Sequence, residues 1–159
     1  MKQVFRRGRA AVRTQAMHCI AAAFAAVAVL ATGCSTPYRS VVADVDAGGW
    51  DAPVELTLPN TDTLNYYDWQ FFVRYDECIV PDTFTVRITV VTPDMLRFEE
   101  PFAVQLPACP TPAARLCETL LDYRRRVLLS RTGDYRLTIS PMQPLRGIEA
   151  VGIQTVESD

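Results

Sequence analysis

The sequence predicts an all-β protein: an antiparallel β-sandwich of about seven strands with one short helix. Three observations carry that expectation. Apolar and polar residues alternate with a period of two over several short stretches. Proline, glycine and Asn/Asp breakers fall in the gaps between them. Only one stretch has helical spacing.

The strands follow in order. Val54, Leu56 and Leu58 alternate with Glu55 and Thr57, and Pro59-Asn60 closes the run. Trp69, Phe71, Val73 and Tyr75 alternate with Gln70, Phe72 and Arg74. Phe84, Val86, Ile88 and Val90 alternate with Thr85, Arg87 and Thr89, bounded by Pro81-Asp82 and Pro93-Asp94. Phe102, Val104 and Leu106 follow, then Val127 and Leu129. After Thr132-Gly133 come Tyr135, Leu137 and Ile139, and a last strand runs around Ile148 to Val156. Each run offers one apolar face, and two sheets can bury such faces against each other. Residues 111–122 read as the helix: Thr111 can cap, Pro112 suits the first turn, and Ala113, Cys117, Leu120 and Leu121 share a side. Gly133 suits a hairpin turn at positive φ, as does Gly147. Gly152 suits a bulge, and Tyr135 reads as core.

The chain of 159 residues has room for one domain, preceded by an address. Residues 1–33 have the layout of a secretory signal: Lys2, Arg6, Arg7, Arg9 and Arg13 without an acid, then twelve consecutive apolar residues from Ile20 to Ala31. Twelve helical residues reach only about 18 Å, short of a ~30 Å hydrocarbon core. Leu30-Ala31-Thr32-Gly33-Cys34 is similar to a bacterial lipobox, which makes Cys34 the expected lipidation site and first mature residue. Ser35 is not acidic, which in the sorting of such lipoproteins goes with the outer membrane, here its periplasmic face. Residues 34–49 are expected to be a lipidated tether ending in Gly48-Gly49, and 50–159 the sandwich.

Composition removes several chemistries. The only lysine, Lys2, and the only histidine, His18, fall in the signal. The mature chain therefore lacks His-based acid/base catalysis, His-ligated zinc, Schiff-base lysines and the P-loop lysine. It keeps eleven of the sixteen basic residues and all eighteen acids, a net charge of −7, which disfavours nucleic acid and anionic headgroups. Arg124-Arg125-Arg126 is the one basic run and reads as a solvated turn or strand edge. Cys78, Cys109 and Cys117 are an odd set in a compartment that permits disulfides. Cys109–Cys117 is the most local pairing, although spacing does not fix connectivity.

Candidate site residues are few. Asp44-x-Asp46-x-Gly48-Gly49 with Glu55 approaches a calcium loop, but Pro53, Gly48 at the fifth position and Asp51 at the eighth favour a tether entering a strand. Asp76-Glu77 and Glu99-Glu100 are paired carboxylates of the kind glycosidases use, and also ordinary turn-flanking acids. In the aromatic stretch 66–72, Trp69 and Phe71 read as core, and Tyr66, Tyr67 and Phe72 as a partner surface. No catalytic residue, metal ligand or cofactor is expected.

Gly133-x-Tyr135-x-Leu137-x-Ile139, Met142, and then Leu145-x-Gly147-Ile148 with Val151-Gly152-Ile153 resemble the GldH family of gliding-motility lipoproteins of the Bacteroidetes. The lipobox, Trp50 and the strand from Trp69 to Tyr75 fit the same pattern, whereas 107–126 departs from it. The resemblance implies an outer-membrane lipoprotein acting as a non-catalytic structural or interaction component, with envelope or gliding-machinery proteins as partners. It carries over no site residue beyond Cys34. A glycan- or ligand-binding module is the first alternative, and a small carboxylate-dependent hydrolase the second.

Overall fold

A computed structural model describes residues 38–76, 80–108 and 116–158. The signal segment and Cys34 lie outside the described residues, as do Glu77, Cys78 and Cys109. Among the described residues there are eight antiparallel strands: β1 (Tyr38–Asp44), β2 (Val54–Asn60), β3 (Tyr66–Asp76), β4 (Thr83–Val91), β5 (Arg97–Gln105), β6 (Leu116–Leu128), β7 (Gly133–Pro141) and β8 (Ile148–Glu157). They form two four-stranded sheets, ordered β1-β8-β3-β6 and β2-β7-β4-β5. Only β4 and β5 are neighbours in both sequence and sheet. Every other connection passes from one sheet to the other. This is the double Greek-key winding of a jelly roll.

The alternation seen in the sequence does the packing. Phe71, Val73 and Tyr75 of one sheet and Val86, Ile88, Leu137 and Ile139 of the other are essentially inaccessible and face each other across the core. Tyr135 sits near the start of β7, and its hydroxyl accepts a hydrogen bond from the Arg131 amide, 3.1 Å away and four residues back. That contact pins the β6–β7 crossover in the manner of the tyrosine corner of Greek-key sandwiches.

The expectations need four corrections here. Residues 38–44, taken as tether, form β1, which pairs with β8 from Tyr38↔Val156 to Asp44↔Ala150. An edge strand needs only a modest inward face, and Val41 and Ala43 supply it. Residues 116–122, taken as helix, belong to β6. Leu116 to Leu121 have side chains at both helical and strand spacing. Ten register pairs with β3, running out to Asp76↔Leu116, decide for the strand. Gly133 does adopt positive φ (122°), but β6 and β7 lie in different sheets, so the turn is a crossover and not a hairpin. Gly147 also has positive φ (81°). Gly152 makes no bulge: it keeps register with both Val42 and Phe72. What requires glycine is proximity, since a Cβ there would lie 2.3 Å from the Val41 carbonyl oxygen.

The calcium-like segment is a turn between β1 and β2. Asp46 Oδ1 accepts from the Gly48 amide at 2.8 Å, and Glu55 is exposed on β2. Cys117 is buried and disulfide-bonded, with its partner outside the described residues.

One end of the sandwich gathers the start of β1, the β2–β3 loop, the β4–β5 hairpin, the β6–β7 crossover and the end of β8. Tyr38 pairs with Val156 and Tyr66 with Leu128 in one sheet, and Asn60 pairs with Gly133 in the other. Asn60 ties the two sheets together there. Its Nδ2 donates to the Leu129 and Arg131 carbonyls at 3.1 and 2.9 Å.

Candidate functional site

The outer strands β5 and β6 belong to opposite sheets, and a cleft of about 650 Å³ opens between them. Its size suits a small-molecule group or an inserted side chain. Its walls are built by strand parity. β4 turns Ile88 and Val90 inward, β3 contributes Trp69, β6 contributes Val127, and Leu129 and Tyr135 close the back. Phe98 has inward parity on β5, opposite Val90, yet is 57% exposed because the facing sheet does not cover it.

Trp69 stands out chemically. It is buried, and its indole N–H has no hydrogen-bond acceptor among the described residues. Trp50, equally buried, donates its own indole N–H to the Ala52 carbonyl at 2.7 Å. A buried unmade hydrogen bond costs about 1–3 kcal/mol, so the Trp69 donor is an opportunity for a guest carrying an acceptor.

A clasp joins the two sheets beside the cleft. Tyr123 Oη donates to Glu100 Oε1 at 2.5 Å, and Arg124 forks onto both Glu100 oxygens at 2.7 and 2.6 Å. The Arg124 guanidinium holds the Glu100 carboxyl below its ordinary range, outweighing partial burial. Burial, with Glu100 adding to it, pushes the Tyr123 hydroxyl far upward, so it stays a proton donor. A register irregularity brings Tyr123 and Arg124 to this position: Trp69 pairs with Arg124 and Gln70 with Asp122, leaving Tyr123 as an extra residue. Farther along, Arg126 adopts φ 54° and donates its amide to Asp68 Oδ1.

The remaining charges around the cleft are paired. Arg97 holds Glu99 below its ordinary range, and the Thr92 hydroxyl, followed by Arg131, does the same for Asp94. The three carboxylates match the three arginines, so the cleft is neutral and suits an uncharged guest. Glu99 and Glu100 point to opposite faces of β5, which removes the facing geometry that the glycosidase reading needs. Of the other pair, Asp76 ends β3 and Glu77 lies outside the described residues.

An acid titration tests the clasp. The folded-state pKa of Glu100 is depressed, so its stabilisation is present above the ordinary carboxylate value, about 4.3, and is lost as pH falls through the lower folded value. Denaturant melts between pH 6 and 3 should show a shallower loss of stability in Glu100→Gln than in the parent. Parallel curves would mean that the clasp contributes nothing.

The aromatic partner surface is split by the structure. Tyr66 is 42% exposed, with the Arg126 guanidinium 5.1 Å from its ring centre. Phe72 is half-buried on the outer face of its sheet, between Gly152 and Leu120. Tyr67 is not a surface residue. It shares the parity of Trp69 and Phe71, is 6% exposed, and donates its hydroxyl to Asp62 at 2.8 Å. None of the three lines the cleft. Sequence reasoning missed Leu96 and Phe98. The available signal was Met95-Leu96, two large apolar residues beside a Thr92-Pro93-Asp94 turn, where polar residues are usual. Arg124-Arg125-Arg126 lies on a sheet edge, as expected, with Arg124 on Glu100, Arg125 on Asp122 and Arg126 over Tyr66.

Comparison with protein-family models finds no match to the chain, and comparison with curated proteins finds none either.

Proposed function

We propose that this protein is a lipid-anchored, non-catalytic binding component of the bacterial outer membrane, attached through Cys34 on the periplasmic face. In this reading it serves as an interaction partner of envelope proteins, like the GldH-type gliding-motility lipoproteins it resembles. The observation that carries the binding role is the neutral cleft between β5 and β6, with apolar walls and the unpaired Trp69 donor. Such a site rewards an apolar group bearing a hydrogen-bond acceptor and offers no carboxylic acid held protonated for turnover chemistry. The anchor rests on the charged, apolar and small-residue zones that precede Cys34.

The test is site-directed photocrosslinking in native membranes. A photoreactive residue at Ser130, exposed on the cleft wall, is compared with one at Met142, exposed at the other end of the sandwich. Adducts to one envelope protein at Ser130, and not at Met142, are the expected result. Background labelling at both positions would overturn the partner role. The exposed Phe98 ring favours a second reading, a neutral glycan guest stacked on that ring. In a Trp50→Phe background, a saturable change in Trp69 emission with neutral oligosaccharide would select it.

A further inference from the structure

Eleven large hydrophobic side chains are exposed among the described residues, and seven of them gather at the end of the sandwich where β1 begins. Tyr38 opens β1, Leu64 sits in the β2–β3 loop and Tyr66 opens β3. Met95 and Leu96 form the tip of the β4–β5 hairpin, Phe98 follows on β5, and Leu128 ends β6. Of the remaining exposed large apolar groups among the described residues, Leu116 and Met142 lie at the opposite end, and Val42 and Leu120 lie on an outer face. A soluble body has no reason to concentrate apolar groups at one pole, and a patch of this kind marks a contact.

Chain geometry selects the occupant. Cys34 precedes Tyr38 by four residues, and four residues extend at most about 14 Å. An acylated Cys34 therefore holds this end, and not the other, within about 14 Å of the point where its chains enter the lipid. The composition fits an interface as well: two tyrosines with a polar edge, a phenylalanine, leucines and a methionine, at loop tips and strand ends. Beside the hairpin tip, Arg131 is ion-paired with Asp94 and Arg97 with Glu99. The hairpin tip is also held rigidly: Met95 adopts φ 66°, and the Thr92 hydroxyl both donates to Asp94 and accepts from the Leu96 amide.

We infer that this end of the sandwich is seated in the membrane–water interface, with the β4–β5 hairpin below the headgroups. The inference builds on the anchoring reading above and goes beyond it. The acyl chains fix proximity, while the apolar tips fix orientation and bring the cleft wall formed by Leu96 and Phe98 against the bilayer.

The full-length protein, purified from membranes with its native amino terminus, is reconstituted into vesicles of phosphatidylcholine and phosphatidylethanolamine with brominated upper acyl chains. Leu96→Trp and Met142→Trp are compared with the parent. The added emission at position 96 should fall by about half, as for a group some 5–10 Å into the boundary, unaffected by salt, while that at 142 is unchanged. Equal quenching at both positions, or none at 96, overturns the inference. So does a stable dimer in detergent that Leu96→Ser converts to monomer, because the patch would then serve a second copy. The mass of the amino-terminal peptide separates the two readings. Acylated Cys34 without quenching at 96 sinks the orientation alone. Bare Cys34 with quenching at 96 sinks the anchor and supports the orientation. Bare Cys34 without quenching sinks both.

Discussion

The Gly152→Ala protein is expected to unfold about 3 kcal/mol more easily than the parent, although the substitution adds one methyl group to a β-strand. β1 and β8 approach so closely that the new Cβ would meet the Val41 carbonyl oxygen at 2.3 Å and the Val42 Cα at 2.8 Å. Both are backbone atoms, and backbone cannot rotate away as a side chain can. The strain is relieved only if β1 moves off β8. Chemical denaturation should therefore show the loss of stability, and hydrogen exchange should locate it. The amides of residues 41–43, paired with Gly152 and its neighbours, should lose protection first, while those of β4 and β7 in the other sheet keep theirs. Unchanged stability would mean that β1 is held more loosely than its seven register pairs suggest.

A second large effect is expected at Asn60, where the change is chemical and not steric. Asn60 is 2% exposed, and its amide nitrogen donates to two carbonyls of the β6–β7 crossover. Asn60→Asp keeps the shape but turns those donors into an acceptor facing two acceptors. The expected cost at neutral pH is about 3 kcal/mol, somewhat softened by Arg39, which lies 3.4 Å from Oδ1. The pH dependence should run opposite to that of Glu100. Facing carbonyls, the new carboxyl has a raised folded-state pKa, so the loss is smallest at low pH and grows as pH rises through that value. Melts of variant and parent should thus converge as the solution is acidified. A constant gap would show that the defect is not electrostatic.

The two predictions contrast in how legible they were. Asn60 appeared in the sequence only as half of a turn signal. Its partners lie about seventy residues away, and no local pattern announces them. Gly152 is visible in the sequence as a glycine inside a strand, but a bulge and a close approach look alike until the neighbouring strand is known. The strands with strict alternation, β2, β3, β4 and β7, were readable because one face of each packs on the opposite sheet. β6 misled because Cys117, Leu120 and Leu121 satisfy helical spacing as well as strand spacing, and only pairing with β3 breaks the tie. β1 was hidden by its modest inward face and by the Gly48-Gly49 turn that follows it. Tyr67 shares the parity of Trp69 and is buried with it, although its position at the start of the aromatic stretch suggests exposure. The cleft could not be anticipated, because it lies between edges of different sheets, and edge position follows from topology and not from local sequence.

The position of β8 governs when the protein can fold. The last of the described strands in chain order lies between β1 and β3, and Thr155 reaches back 116 residues to the Arg39 carbonyl. Until the ten residues of β8 emerge, β1 has no neighbour and its sheet is split in two. Closing so long a loop is slow, and a nascent chain missing this strand stays open. The topology therefore withholds the compact state until β8 has been made.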